Sequence, residues 1–404
     1  MTDSNQMLLT NTNAAPNEKQ KKFMDWEFGA FFHFGIRTFY EVMRDWDMKP
    51  MAVEGFCPSD LNCDDWCESV KTAGAKYAVM TAKHHDGFAN WPSKYTDYSV
   101  AATKWKDGKG DVVREFTDAC RRHGLGVGLY YSPAQYDSVD WTAQEYNDYF
   151  VNQISELLTN YGKIDYLWFD GCGSGGHEWD TARIIRVIRQ LQPDILLFGM
   201  WDPDTTWCGN EEGYGRYPNV YFRDGRFLPD ECDCRIREQW FWSDSDFDQL
   251  KSVDTLMGIY ELSVGRGSNL LLNVGPDRRG RICDEDKKRL AEMGAELRRR
   301  EQCAVSEEIP CENGEVFFEF YDKKGSPEWV NAIVLREDLS AGQNVTAVRV
   351  IYPGDMTNAI LWQGTTIGRK LIIRFPQVYM RRLRVEIETQ NGENAKVIGQ
   401  AFRY

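Results

Sequence analysis

Basic side chains are scarce relative to acidic ones in this chain of 404 residues: 48 Lys and Arg face 62 Asp and Glu, for a net charge of −14. A nucleic-acid backbone or an anionic membrane surface demands a basic footprint, so neither is expected as a partner. Long apolar runs are missing too. Residues 1–22 form a polar leader with no apolar core of signal-peptide length, and nothing downstream approaches a membrane span; the expectation is a soluble, cytoplasmic protein. Eleven cysteines are scattered from Cys57 to Cys311 without the spacing of a disulfide scaffold, and neither Cys63-x-x-x-Cys67 nor Cys232-x-Cys234 finds the second pair that a zinc site needs. No Gly-x-Gly-x-x-Gly follows the first strand, which removes dinucleotide binding. Internal repeats and low-complexity segments are absent, and nothing in the sequence marks an oligomeric state.

Aromatic residues are plentiful, with 14 Trp, 19 Tyr and 21 Phe, a composition that suits both a large core and sites that stack on flat apolar ligands or sugar faces. The stretch Ile164-Asp-Tyr-Leu-Trp-Phe-Asp170-Gly171 reads as a strand covered on both faces that ends in a carboxylate, followed by a glycine-rich loop. Phe28-Gly-Ala-Phe-Phe-His33-Phe-Gly35 repeats the design with an imidazole. A third strand, Ala75 to Lys83, ends in His84-His85-Asp86-Gly87. Consecutive strand residues point to opposite sides, so both histidines serve one pocket only if this strand ends near His84.

Helical patterns alternate with these strands. They run from Asp64 to Thr72, Asp111 to Gly124, Tyr146 to Tyr161 and Thr181 to Leu191, while Leu125 to Tyr131 and Asp194 to Gly199 read as further strands. Such alternation predicts a parallel sheet with crossover helices. Polar residues recur at most strand ends, including Asn273 of Asn269-Leu-Leu-Leu-Asn-Val-Gly275, which favours a closed (β/α)8-like TIM barrel over an open sheet with a single switch point. Residues 202–250 are irregular and read as site-forming loops, without a visible sixth or seventh strand. After a charged helix from Asp284 to Glu301, five alternating runs between Val316 and Ile387 predict a small antiparallel β-sandwich. The expected division is a leader over 1–22, a catalytic barrel over 23–303 and a sandwich over 304–404.

The strand-end residues His33, His84, His85, Asp86, Tyr130 and Asp170, with the loop acids Glu211, Glu212 and Glu231, admit two chemistries. A metal-dependent hydrolase would place an ion among His33, His84, His85 and Asp170 to activate water, although Phe31 stands where the first His-x-His pair of such barrels has its partner. A glycosidase would instead use one carboxylate as nucleophile and another as acid/base, with imidazoles on the sugar hydroxyls and indoles on its apolar face.

Several segments resemble one family. Phe28 to Gly35, Lys76 to Trp91 with its Lys-His84-His85-Asp-Gly-Phe, Gly128-Leu-Tyr130-Tyr-Ser132, Trp168-Phe-Asp170-Gly and Leu271-Leu-Asn273-Val-Gly-Pro-Asp277 are similar, in order, to the α-L-fucosidases of glycoside hydrolase family 29. The resemblance implies a retaining exo-hydrolase that needs no cofactor and acts on a fucosylated oligosaccharide or glycoconjugate. Its nucleophile falls on Asp170, and its fucose-binding residues on His33, His84, His85, Tyr130 and Trp168. Trp207-Cys-Gly-Asn-Glu211 and Pro229-Asp-Glu231-Cys-Asp-Cys-Arg-Ile-Arg237 resemble the subgroup that prefers α-1,3/1,4-linked, Lewis-type fucose. There Glu211 is the implied acid/base, with Glu231 as the alternative or as a substrate ligand, and Arg237 and Trp242 are placed along the pocket. Asp45-Trp46 stands where Glu-Trp is commoner, and Ser132-Pro-Ala-Gln-Tyr-Asp137 replaces Ser-Pro-Trp-Asp; both departures bear on linkage preference.

Overall fold

Alternation within each strand decides the architecture, because every barrel strand sends one set of side chains inward and the other toward the helices. In β4 (Tyr166–Phe169), Tyr166 and Trp168 join the inner aromatic cluster, while Leu167 and Phe169 pack in the outer layer with Phe150 and Ile184. A computed structural model describes residues 14–40, 51–135, 140–321, 325–390, 392 and 396–404. Asp45, Trp46, Tyr136 and Asp137 lie outside them.

Helix α1 (Glu18–Trp26) precedes β1 (Phe28–Phe32), and then come α2 (Cys63–Thr72), β2 (Tyr77–Lys83), α3 (Val112–His123), β3 (Gly126–Tyr131), α4 (Ala143–Asn160), β4, α5 (Thr181–Leu191) and β5 (Leu196–Phe198). The strands pair in parallel in the order β5-β4-β3-β2-β1-β10-β9-β6, where β6 is Thr206–Trp207, β9 Asp230–Arg235 and β10 Asn269–Asn273. A parallel bridge between Phe198 and Thr205 joins the two ends, so eight strands form a barrel. Four of the barrel helices start where a short polar side chain caps them: Asn62 for α2, Asp111 for α3, Thr142 with Glu145 for α4 and Asp180 for α5.

Strands six and seven lie inside the stretch that reads as irregular. Between them β7 (Phe222–Arg223) and β8 (Arg226–Phe227) form a small hairpin. Helix α6 (Val253–Ser263) leads to β10, and α7 (Asp284–Glu301) closes the ring.

Beyond α7, β11 (Ile309–Pro310), β13 (Glu328–Glu337), β16 (Leu371–Met380) and β18 (Val397–Phe402) form one antiparallel sheet. The other holds β12 (Glu315–Glu319), β14 (Val345–Pro353), β15 (Asn358–Gly364) and β17 (Arg382–Thr389). Their inner faces share Val316, Ile333, Leu335, Val348, Ile373 and Val385 as a separate core, so among the described residues the β-sandwich has eight strands, where the sequence shows five or more.

Candidate active site

The C-terminal ends of the barrel strands gather the polar residues into one pocket. Asp170 follows directly on β4. Its Oδ2 accepts the Tyr130 hydroxyl at 2.9 Å and lies 3.4 Å from His85 Nε2, while its Oδ1 accepts the Cys172 backbone N–H at 2.8 Å. Burial pushes this carboxyl up, but the hydrogen bond and charge of His85, with the Cys172 amide and Tyr130, outweigh it and hold Asp170 at about 2. It is an anion at any working pH.

Strand β2 ends at Lys83, so His84 and His85 leave the pleat and both rings turn to the same side, 4.4 Å apart. Ser132 Oγ donates to the Ala134 carbonyl and therefore accepts from His85 Nδ1, at 2.5 Å. With Nδ1 protonated, the other nitrogen donates toward Asp170 only when the ring carries a second proton. His33 is fixed by a similar relay. Asn273 Nδ2 donates to the Trp240 carbonyl at 2.8 Å, which turns its Oδ1 onto His33 Nδ1 at 2.8 Å and leaves Nε2 as the acceptor of the neutral ring.

Aromatic rings wall the pocket. Tyr130 stacks between His84 at 5.5 Å and Trp168 at 5.4 Å, Trp168 stacks on Phe198 at 4.0 Å, and Trp240 and Phe241 lie 4.9 and 5.4 Å from His33. Trp91 and Trp201 are elsewhere. Trp91 is buried and donates to Glu156 of α4, and Trp201 packs among Phe150, Phe169 and Trp179 in the outer layer.

Glu231 sits beneath the pocket, not on its rim. It is fully buried in the lumen, where Oε2 takes the Tyr77 hydroxyl and Oε1 takes the Trp168 indole at 2.8 Å and the Tyr166 hydroxyl at 3.1 Å. Burial raises its carboxyl to about 7, against the three donors. Glu211, by contrast, is exposed on the loop after β6, 3.6 Å from Arg235. Arg237 does not reach the pocket: it is buried against α7, paired with Asp286 at 2.7 Å. Trp242 lies beside the pocket under the Arg278 guanidinium, next to Phe241.

Reading the sequence missed Asp233, Arg235, Trp240 and the His85 partner Ser132. The first two carried a signal, since Glu231, Asp233 and Arg235 alternate with Cys232, Cys234 and Ile236 at the period of a half-polar strand. Among the described residues, no three His, Cys, Asp or Glu side chains converge as a metal-binding group.

An ionised carboxylate at the end of the fourth barrel strand, flanked by imidazoles held through Nδ1 and by a stacked indole, is the arrangement of a sugar-cleaving barrel hydrolase. Comparison with known proteins narrows the class. The alpha-L-fucosidase family model matches residues 2–302. Alpha-L-fucosidase 1 of Arabidopsis thaliana is 32% identical, over 89% of this chain and 82% of its own length. The crystal structure of a glycoside hydrolase 29 family member from an unknown rumen bacterium superposes with a TM-score of 0.89 at 32% identity, covering 97% of this chain and 78% of the other. The chain belongs to the alpha-L-fucosidase family, glycoside hydrolase family 29.

Proposed function

We infer that the enzyme is a retaining exo-α-L-fucosidase that releases terminal fucose from α-1,3/1,4-linked, Lewis-type glycans, with Asp170 as nucleophile and Glu211 as acid/base. The observation that carries the reading is the Asp170 carboxylate: ionised, 3.4 Å from His85 and bonded to Tyr130 at the end of a barrel strand. In the first step an Asp170 oxygen forms a bond to the anomeric carbon as the glycosidic bond breaks, and the Glu211 carboxylic acid gives its proton to the departing oxygen. In the second, Glu211 as base takes a proton from water, which displaces Asp170 and frees fucose. His33, His84, His85 and Tyr130 hold hydroxyl groups, and Trp168 covers one side of the sugar. The resemblance of the Gly-Asn-Glu211 loop to the 1,3/1,4-preferring subgroup supports the linkage, and Glu211 is exposed on that loop.

Asp170→Gly is expected to abolish turnover of an aryl α-L-fucoside, by about 10³-fold or more, with the thermal melt preserved. Glu211→Ala should slow oligosaccharide hydrolysis far more than that of an activated aryl fucoside, and azide should restore turnover by forming fucosyl azide. Near-normal turnover in the first variant, or no azide effect in the second, contradicts the assignment. A panel of α-1,2- and branched α-1,3/1,4-fucosylated oligosaccharides tests the linkage.

A further inference from the structure

Three alternate residues of β9 each engage an aromatic ring of a neighbouring element. Glu231 takes the indole N–H of Trp168 on the nucleophile strand, Asp233 Oδ1 takes the Nε1–H of Trp207 at 2.6 Å, and the Arg235 guanidinium lies 5.2 Å over Trp240. The middle contact has no part in the chemistry above. Asp233 is 5% exposed and Trp207 40%, so a buried acceptor grips the N–H edge of a ring that is otherwise partly in solvent.

Trp207 ends β6, four residues before Glu211. The loop it opens is tied to β9 at three further points, by the Cys208 amide on the Glu231 carbonyl at 2.9 Å, by the Glu211–Arg235 pair at 3.6 Å and by the bridge between Glu212 and Cys234. Within the loop Asn210 accepts from the Glu212 and Tyr214 amides at 3.2 and 3.1 Å and donates to the Tyr214 carbonyl at 2.8 Å, while Arg216 donates to the Trp207 and Cys208 carbonyls at 3.0 and 3.1 Å. Its interior is therefore braced; its far end is held by Gly215, which donates to the Leu262 carbonyl at 2.8 Å and accepts from Arg266 at 3.1 Å, and its near end, which carries Glu211, by the ties to β9.

We propose that Asp233 is a positioning residue for the fucosidase reaction: by holding the Trp207 indole it sets the 207–212 loop so that Glu211 meets the glycosidic oxygen and Trp207 walls the leaving-group sugar. The role of Glu211 in this proposal rests on its reading as acid/base above. The titratable groups near Asp233 are Asp170 just past β4, Cys208 and Glu211 from the loop, and Glu231 and Cys234 from β9. Burial, with the Glu211 and Asp170 charges adding to it, pushes Asp233 up to about 7 against the Trp207 bond. Below that pH it is a neutral acid with one acceptor and one donor, which asparagine reproduces and alanine does not.

The test uses the full chain carrying Asp233→Ala, Asp233→Asn or Trp207→Phe, assayed at pH 5.5 on an activated aryl α-L-fucoside and on a fucosylated oligosaccharide. Asp233→Ala and Trp207→Phe should each lower kcat/KM on the oligosaccharide about 10- to 100-fold and on the aryl fucoside several-fold less, with the double variant no worse than either single one. Asp233→Asn should stay within about threefold of the parent. The proposal is overturned if Asp233→Ala leaves oligosaccharide turnover within about threefold, or if both substrates lose equally and asparagine does no better than alanine, which is a purely structural role. Azide acting on Glu211→Ala, measured alongside, tests the acid/base separately. Rescue there with an inert Asp233→Ala overturns only the positioning role, and no rescue overturns the Glu211 assignment.

Discussion

One carboxyl held near 2 and two held near 7 share this barrel because their partners differ, not their burial alone. Asp170 faces a histidine, an amide and a phenol, whereas Glu231 and Asp233 meet only neutral donors and other acids. The consequences for stability have opposite signs. Asp170 is lowered from 3.8, so its contribution is present above that value and lost as pH falls toward about 2. Glu231 is raised from 4.5 to about 7: the folded chain holds a proton there that the unfolded chain has released, so stability declines as pH rises through that window. The Glu231 share is roughly 3 kcal/mol, with Asp233 adding a decline between 3.8 and about 7. Melting temperatures from pH 4 to 8 should fall with pH, and Glu231→Gln should flatten that fall while lowering kcat above about pH 7, where Trp168 loses a charged acceptor. An equally steep fall in the variant would show that Glu231 is not the titrating group. Asp170 was legible from its own stretch because an apolar run that stops at Asp-Gly delivers a carboxylate to a rim. The depth of Glu231 was not, because nothing local distinguishes a carboxyl above a barrel floor from one within it.

At the scale of elements, β6 and β9 escaped the sequence for a physical reason. A two-residue strand has no periodicity to detect, and β9 reads as a loop because its inward residues are the acids and arginine that build the site. The long helices were legible through their stripes and caps. Strand β10 shows how an element controls the chemistry above it. A Cβ on Gly275, just past its end, would lie 2.8 Å from the Trp242 amide nitrogen and 3.1 Å from the Trp240 carbonyl oxygen. That carbonyl orients Asn273, and Asn273 orients His33. Gly275→Ala should therefore displace the Trp240 segment, weaken fucose inhibition about tenfold and cost about 1–3 kcal/mol in stability. Isothermal titration with fucose and a thermal melt check both, and unchanged fucose affinity would refute the relay.

The whole molecule is one barrel with a sandwich braced against it by charges. On β16 and just before it, Arg374 pairs with Glu261 of α6 at 2.9 Å, Lys370 with Glu27 at 2.7 Å, and Arg369 with Asp25 of α1 at 2.6 Å. Tyr221 adds a neutral tie, donating to the Gly267 carbonyl at 2.7 Å and accepting the Arg369 amide at 3.1 Å. Burial favours a neutral Glu27, but Lys370 beside it wins and lowers its carboxyl. Lys370→Met should leave that carboxylate without its nearest partner and cost about 2–4 kcal/mol. The loss should appear in the melt at neutral pH, and a change below about 0.5 kcal/mol would mark the pair as a surface contact. No helix among the described residues is long and apolar enough to cross a membrane.

By itself the sequence determined the alternating strands and helices, the sandwich and the Asp170, His33, His84 and His85 strand ends, because periodicity and strand-terminal residues are local properties. It also carried the motifs shared with the alpha-L-fucosidase family. Only the tertiary structure decided that Glu231 is a floor residue, that Arg237 is committed to Asp286 and that Asp233 grips Trp207. Those three lie within seven residues of one chain segment, yet their surroundings come from β2, β4, β6 and α7, which meet only when the barrel closes.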